Sequence, residues 1–302
     1  MIGLALASAC ALAWAGLDVL RKQLGQAIAP LPLLVLLNVG LLPVFGLWWL
    51  VSGGTISDPA AYAPPAGAAL VLQVVANILF LAAVRASPLS LTIPFLALTP
   101  VFATAIGAAL LGERPAPVQL LGVALVVAGA LGLSSVGAPR DVSRDVPEGR
   151  SRAGSPKPAG TTGIPMMIGV AACWGVTMAL DKRALEYAAV PIHALIQLLG
   201  VVLTALVYLL LAGRRGELRR GREQLPRLVF ATLLGAAALG LQLVAVQLIL
   251  VSQLETLKRA LGLIGAVVFG RLVFGEPITA RKIAAILLMV AGVVLLMLRS
   301  SS

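Results

Sequence analysis

Three ionisable side chains, Glu255, Lys258 and Arg259, lie within an otherwise apolar stretch of the chain. Positions i, i+3 and i+4 of an α-helix share one face, so a helix would place these groups side by side. Glu255 can neutralise one of the two cations, which leaves one positive charge to hold a carboxylate or a phosphate. Arginine would bind such a group through two hydrogen bonds and lysine as a point charge. The spacing therefore predicts a binding site for an anionic group.

The composition indicates that lipid is the solvent for most of this chain. Of its 302 residues, 60% are hydrophobic and 12% are charged, and the mean hydropathy is +1.02. A soluble domain carries about 25% charged residues. The net charge of +11 does not indicate a nucleic-acid-binding surface, because the basic residues lie between apolar runs and form no patch with aromatic residues. We interpret them as orientation signals in loops.

Ten apolar runs have the length of a membrane-spanning helix, about 17–25 residues. They are too long for barrel strands and do not alternate as such strands do, so the sequence predicts an all-α integral membrane protein. Pro43, Pro94 and Pro100 fall inside runs and are expected to kink those helices or to open backbone groups toward a cavity. The runs are Gly3–Leu20, Leu31–Val51, Ala66–Ala83, Pro88–Leu111, Pro117–Val136, Gly163–Leu180, Val190–Ala212, Leu228–Leu250, Gln253–Phe274 and Ile278–Leu298.

A polar stretch rich in Pro, Gly, Ser and charge divides the chain at residues 137–162. Such a composition cannot bury a core, so this stretch is predicted to be a disordered linker. It separates a first repeat, residues 1–136, from a second, residues 163–299. Each repeat holds five of the ten runs.

The two halves carry matching residues in corresponding places. Because five is an odd number, the second half enters the membrane in the opposite sense to the first, which makes an inverted repeat. Inverted repeats place a site near the bilayer midplane, and rocking of one half against the other exposes it to alternate sides. The matches are Gly112-Glu113 with Gly275-Glu276, Ala128-Gly129 with Ala291-Gly292, Trp14 with Trp174, and Lys22 with Lys182.

The joint order of these motifs resembles the EamA-type transporters of the drug/metabolite transporter superfamily. Besides the matches above, Asp181-Lys182 and Lys258-Arg259 are similar to one branch of that family. The resemblance covers nearly the whole chain apart from the linker. It implies secondary transport of a small metabolite, without a cofactor, across a bacterial inner membrane. Members carry amino acids, sugars, nucleotide derivatives or drugs, so no particular substrate is implied.

The three charges of the ninth run have two interpretations. A charge at bilayer depth costs about 2.5–3.5 kcal/mol, so Glu255, Lys258 and Arg259 are expected to face the bundle or a wet cavity and to bind substrate. Glu255 lies only a few residues after Leu250, however, where a turn is predicted. The alternative is that the long basic side chains reach the lipid head groups.

Other polar residues of the runs are further candidates for substrate binding. Trp14 and Trp174 either line the cavity or pack, and Asp18 either carries a proton or pairs with Lys22 four residues on. The amides of Gln73, Asn77 and Gln242 either bind substrate or hydrogen-bond across helices.

Three more residues have roles predicted outside the binding site. Glu113 and Glu276 are interpreted as structural ends of their helices that cap or pair in loops. His193, the one histidine of the sequence, lies near the start of a run and is expected at the membrane interface.

Other functions remain open or are disfavoured by the residues available. A flippase for a lipid-linked amphiphile would share the fold and is the main alternative. A membrane-embedded enzyme is disfavoured because no catalytic set can be assembled with one histidine and because Cys10 and Cys173 have no metal-ligand spacing. The expected partners are a small-molecule substrate and the lipid bilayer, with no nucleic acid. The sequence leaves the oligomeric state, monomer or homodimer, open.

The membrane orientation has two conflicting indications. Lys and Arg are concentrated in loops that follow odd-numbered runs, and the positive-inside rule then places both termini outside the cytoplasm. The family resemblance implies that both termini are cytoplasmic. The direction of transport therefore stays open.

Overall fold

The structure is a computed structural model that describes residues 2–87, 92–137, 163–213, 215–274 and 279–297. Within these ranges the chain forms ten α-helices, two 3-10 helices (Ile93–Leu98 and Arg215–Gln224) and no strand beyond one isolated bridge. The expectation of an all-α protein is confirmed. The α-helices are α1 Ile2–Leu24, α2 Pro30–Ser52, α3 Pro59–Ala86, α4 Thr99–Leu111, α5 Pro117–Gly137, α6 Gly163–Ala184, α7 Val190–Leu211, α8 Leu225–Leu248, α9 Val251–Phe274 and α10 Ala280–Met297.

Seven of these helices are long and apolar enough to cross a membrane, judged by length and composition: α1, α2, α3, α6, α7, α8 and α10. Two shorter apolar segments cover α4 and most of α5. The remaining helix, α9, is as long as the others but carries Glu255, Lys258, Arg259 and Arg271. Three of the four charges that distinguish α9 are therefore Glu255, Lys258 and Arg259, the predicted anion-binding residues.

The start of α3 differs from the prediction. The helix begins at Pro59, seven residues before the predicted Ala66. Asp58 caps it by accepting hydrogen bonds from the amides of Ala60 and Ala61, each at 3.0 Å, and proline is well suited to the first helical position. The apolar run alone did not include these two residues, which start the helix.

The fourth predicted span is also not one helix. A 3-10 helix, Ile93–Leu98, leads into α4, which starts at Thr99. Pro94 and Pro100 each lack an amide donor, so neither can donate a helical hydrogen bond to the preceding turn, which accounts for the change of helix type here. By contrast, α2 continues through Pro43. The fourth run is thus interrupted near its prolines, whereas the kink expected at Pro43 stays a prediction.

The helices of the two halves pack against each other in a pattern with two-fold character. The contacting pairs include α3 with α6, α1 with α8, α4 with α6, α1 with α9, α2 with α7, α4 with α9 and α5 with α10. The two-fold character appears when α1–α5 are exchanged, in order, for α6–α10. Each pair in this set then becomes another pair of the set or stays the same. The predicted linker and Gly275-Glu276-Pro277 lie outside the described residues.

The α5–α10 pair approaches closely because glycines face each other. A Cβ atom built on Gly122 would lie 2.7 Å from the carbonyl oxygen of Gly292, and one on Gly292 would lie 2.6 Å from that of Gly122. Only residues without a side chain allow the two backbones to lie this close, as in other membrane helix pairs.

Candidate functional site

The charged residues of α9 point into the helix bundle. Glu255 is 1% exposed, and its Oε1 accepts a hydrogen bond from the Lys258 ammonium at 2.5 Å. Arg259 reaches from α9 to α4, where its Nη2 donates to Thr99 Oγ1 at 3.1 Å. The structure therefore places these three side chains against other side chains of the helix bundle.

Each of the two cations lies over a tryptophan. The Lys258 ammonium is 5.8 Å from the ring centroid of Trp14 on α1, and the Arg259 guanidinium carbon is 5.6 Å from that of Trp174 on α6. Both distances are within the range of a cation–π interaction, about 6 Å. Trp14 and Trp174 correspond in the two halves, so equivalent residues hold neighbouring cations. We call Glu255, Lys258, Arg259, Trp14 and Trp174 the central cluster.

Gln242 on α8 joins the central cluster through Trp14. The indole Nε1 of Trp14 donates to Gln242 Oε1 at 2.9 Å, and Gln242 Nε2 contacts Met178 Sδ at 3.2 Å. Gln242 thus hydrogen-bonds across helices, as one of its two interpretations predicted. The bond also fixes the plane of the indole over which Lys258 lies.

One polar atom of the central cluster has no partner. Among the described residues, the buried side-chain atoms without a hydrogen bond are Arg259 Nε and Thr177 Oγ1. A buried donor left unpaired costs about 1–3 kcal/mol. A carboxylate or phosphate at the edge of the guanidinium would satisfy Nε and balance the charge that Glu255, already bonded to Lys258, leaves unneutralised.

Three predicted site residues have other partners than the central cluster in their printed hydrogen bonds and ion pairs. The side chain of Asp18 is 64% exposed and pairs with Arg21 at 3.3 Å, while its pairing with Lys22 stays a prediction. On α3, Asn77 Nδ2 donates to the carbonyl oxygen of Gln73 at 2.9 Å. That bond lies within one helix, contrary to the expectation that Asn77 bonds across helices.

A second polar contact joins the two halves at one end of the bundle. Glu113, which follows α4, accepts from Lys182 Nζ on α6 at 2.7 Å and from the amide of Val251, the first residue of α9, at 3.0 and 3.1 Å. Lys182 also donates to the carbonyl oxygen of Ile249 at 2.7 Å. The carboxylate meets the positive end of the α9 dipole. We call Glu113 and Lys182 the inter-half ion pair.

The local sequence explains how Glu113 reaches this position. Gly112 ends α4 with φ 64°, a left-handed conformation that favours glycine. A Cβ atom on Gly107 would lie 2.7 Å from Glu113 Oε2, so a side chain there would displace the carboxylate from this position. The interpretation of Glu113 as a capping and pairing residue is confirmed, whereas Glu276 lies outside the described residues.

Close to the inter-half ion pair, three side chains form a buried hydrogen-bonded chain. His193 Nε2 lies 3.2 Å from Asp181 Oδ1, and His193 Nδ1 lies 3.1 Å from the Tyr62 hydroxyl. His193 is 0% exposed and lies inside the bundle, near the start of α7, and its expected position at the membrane interface stays a prediction. The partners of His193 come from α6 and α3, so the sequence of α7 alone could not identify them.

An apolar groove opens on the side of the bundle between α1, α2 and α8. Its volume is about 460 Å³, and the ring of Trp48, 37% exposed, forms one wall. Small residues of α8 form its floor. The lining residues are Leu6, Trp48, Ala236, Ala237, Gly240, Leu241 and Val244.

Comparisons with known proteins identify the fold and the family. The sequence model of the EamA-like transporter family matches this chain twice, at residues 1–135 and 161–298. A solved structure titled "Crystal structure of protein" superposes with a TM-score of 0.76 at 18% identity, covering 99% of each chain. At that identity the likeness shows the fold alone. No curated protein matches the sequence.

Proposed function

Because the chain belongs to the EamA-like transporter family, we propose that it is a secondary transporter that moves a small polar or anionic metabolite by alternating access. The observation that carries this proposal is the central cluster. It combines a guanidinium with an unpartnered buried Nε and two cations held over tryptophans that correspond in the two halves.

The charge of the central cluster favours an anion. Glu255 is bonded to Lys258, and Arg259 faces a neutral hydroxyl and an indole ring. One positive charge is left over, in surroundings where water does not screen it. A carboxylate or phosphate would accept from two guanidinium nitrogens at once, while the indole rings would pack against an apolar part of the substrate.

Alternating access requires two halves that move as units, and two findings support an inverted repeat. The family model matches each half separately, and the helix contacts are exchanged between the halves. Five helices per half would set the halves in opposite senses across the membrane. The inter-half ion pair would then close one end of the pathway and break when that end opens.

The transport test uses purified protein in proteoliposomes and a panel of radiolabelled amino acids, dicarboxylates and sugar phosphates, with and without a pH gradient. We expect uptake of one anionic class, and we expect Lys258→Ala and Arg259→Ala each to abolish it at unchanged protein level. The matched control is Arg227→Ala, which removes an exposed arginine bonded to Gln224. Wild-type uptake by the double variant would remove both cations from the binding site.

A flippase is the second candidate, favoured by the apolar groove beside α8. An acyl chain could lie against Trp48 and Gly240 while a polar head group moves through the protein. Proteoliposomes with a fluorescent phospholipid, quenched from outside, separate the two functions. Lipid movement without uptake of any soluble anion would favour the flippase, and the reverse would favour the metabolite transporter.

A further inference from the structure

The buried chain of Asp181, His193 and Tyr62 has no part in the anion site. Its residues come from α6, α7 and α3, and they lie at the end of the bundle where the inter-half ion pair is found. Gln197, one turn after His193, holds α7 against α3 by donating to the carbonyl oxygen of Ala66 at 2.9 Å. The three polar side chains are therefore held in a packed setting.

The hydrogen bonds define where a proton can be added. An ionised Asp181 can only accept, so Nε2 of a neutral His193 carries the hydrogen and donates to Oδ1. Nδ1 is then a bare acceptor for the Tyr62 hydroxyl. If the imidazole gains a proton, both of its nitrogens donate, and the Tyr62 oxygen accepts from Nδ1. The same heavy-atom positions serve both states.

Uptake of one proton changes the net charge of this buried chain. With a neutral imidazole the chain holds one buried negative charge, and with a protonated imidazole it is a neutral ion pair, which burial penalises less. Within the described part of the chain, the neighbouring charges are engaged elsewhere: Lys182 with Glu113, and Arg183 with Glu186. On α3, Asp58 is exposed and caps its own helix.

The position of Asp181 links this chain to the contact between the halves. Asp181 and Lys182 are adjacent in the last turn of α6, one bonded to His193 and the other to Glu113 and to Ile249. A change in the bond between Asp181 and His193 therefore shifts the helical turn that also carries Lys182. The proton site and the inter-half ion pair therefore share one structural element.

We propose that Asp181, His193 and Tyr62 form a proton-binding site that controls whether the inter-half ion pair is closed. This inference rests on the proposed transport function, for which it identifies the coupling ion. The proton comes from water at that end of the bundle and is added to the imidazole, and no other bond is made or broken. Since His193 is the one histidine of the chain, its protonation can be observed directly.

The first test is nitrogen-15 NMR of histidine-labelled full-length protein in lipid nanodiscs, purified through a tag without histidine. We expect the single imidazole to be the Nε2–H tautomer at alkaline pH and to gain a second proton, on Nδ1, in acidic solution. Asp181→Asn should keep it neutral over the same range, and Tyr62→Phe, which alters one atom, should shift only the Nδ1 signal. Glu186→Gln, which removes an exposed carboxylate from the end of α6, is the matched control.

The second test measures the coupling without a substrate. In a Cys10→Ala, Cys173→Ala background, Ser252→Cys introduces a thiol at a position that is 1% exposed beside the start of α9. Because maleimide reacts with the thiolate, each labelling rate is divided by that of the same variant unfolded in SDS at the same pH. This corrected rate should differ about tenfold between pH 8 and pH 5, and His193→Gln should remove that difference.

Three results would overturn the proposal: an imidazole that stays neutral throughout, one that titrates identically in Asp181→Asn, or a labelling rate that is independent of pH once it is corrected for ionisation of the thiol. None of these results depends on whether any metabolite is transported. Failure of the anion-uptake experiment would therefore leave this test intact, and the reverse also holds.

Discussion

The inter-half ion pair allows the sharpest energetic prediction, since its environment can be compared with that of an exposed pair on the same helix. The side chains of Lys182 and Glu113 are 20% and 7% exposed, whereas those of Arg183 and Glu186 are 46% and 45% exposed. Removal of one partner of a buried pair costs about 3–5 kcal/mol, and an exposed pair contributes about 0–1 kcal/mol. The two ion pairs should therefore differ several-fold in their contribution to the free energy of unfolding.

Lys182→Met leaves the Glu113 carboxylate with the Val251 amide as its remaining donor, so we expect a loss near the lower end of that range, about 3 kcal/mol. Glu113→Gln can still accept from the amide and should lose about 1.5–3 kcal/mol, the contribution of a hydrogen bond to a charged group. Because the double variant has neither charge, its loss should be smaller than the sum of the single losses by about 2 kcal/mol.

The assay is reversible unfolding by SDS in mixed micelles, followed through tryptophan fluorescence, for the two single variants, the double variant and the wild type. The matched cycle of Arg183→Gln and Glu186→Gln should give an interaction energy below about 0.5 kcal/mol. Additive losses at Glu113 and Lys182, or equal interaction energies in the two cycles, would refute the idea that this contact holds the halves together.

Two further predictions concern packing and orientation. Gly292→Ala places a Cβ atom 2.6 Å from the carbonyl oxygen of Gly122, and we expect a loss of about 1–3 kcal/mol in the same unfolding assay. Gly67→Ala, where no atom lies within 4 Å, should have no such effect, and equal losses would contradict the close crossing. If the charge bias sets the orientation, a C-terminal alkaline phosphatase fusion should be active outside the cytoplasm; an inactive phosphatase with a fluorescent GFP fusion would instead place the terminus inside.

The helices could be predicted from the sequence because each depends on local hydropathy. The sequence also placed Glu255, Lys258 and Arg259 on one helix face, and the cost of a charge on the lipid side was the argument for the interior among its two interpretations. The features that the sequence could not predict depend on contacts between helices or on local backbone chemistry. The partner of Asp18 depends on which side-chain rotamer is adopted, and the start of α3 depends on the Asp58 cap.

The burial of His193 shows why part of the site could not be found from the sequence. A histidine at the start of a run is typical of a membrane interface, and nothing within α7 contradicts that. Only the packing of α3 and α6 brings Tyr62 and Asp181 to its two nitrogens. The match of Lys22 with Lys182 did indicate that this end of α6 is important. It did not identify His193 as the partner of Asp181, which precedes Lys182.

The positions of these groups on shared helices give a route by which the two ends of the mechanism can communicate. Helix α9 begins at Val251, whose amide binds Glu113, and carries Arg259 eight residues later, about 12 Å along the axis. Helix α4 contacts the second half at both ends, through Thr99 to Arg259 and through Glu113 to Lys182. An anion that takes the Arg259 donors must compete with Thr99, and any resulting shift of α4 or α9 reaches Glu113, because a helix moves as a unit over two turns. Occupancy of the central cluster and closure of the inter-half ion pair should therefore be coupled.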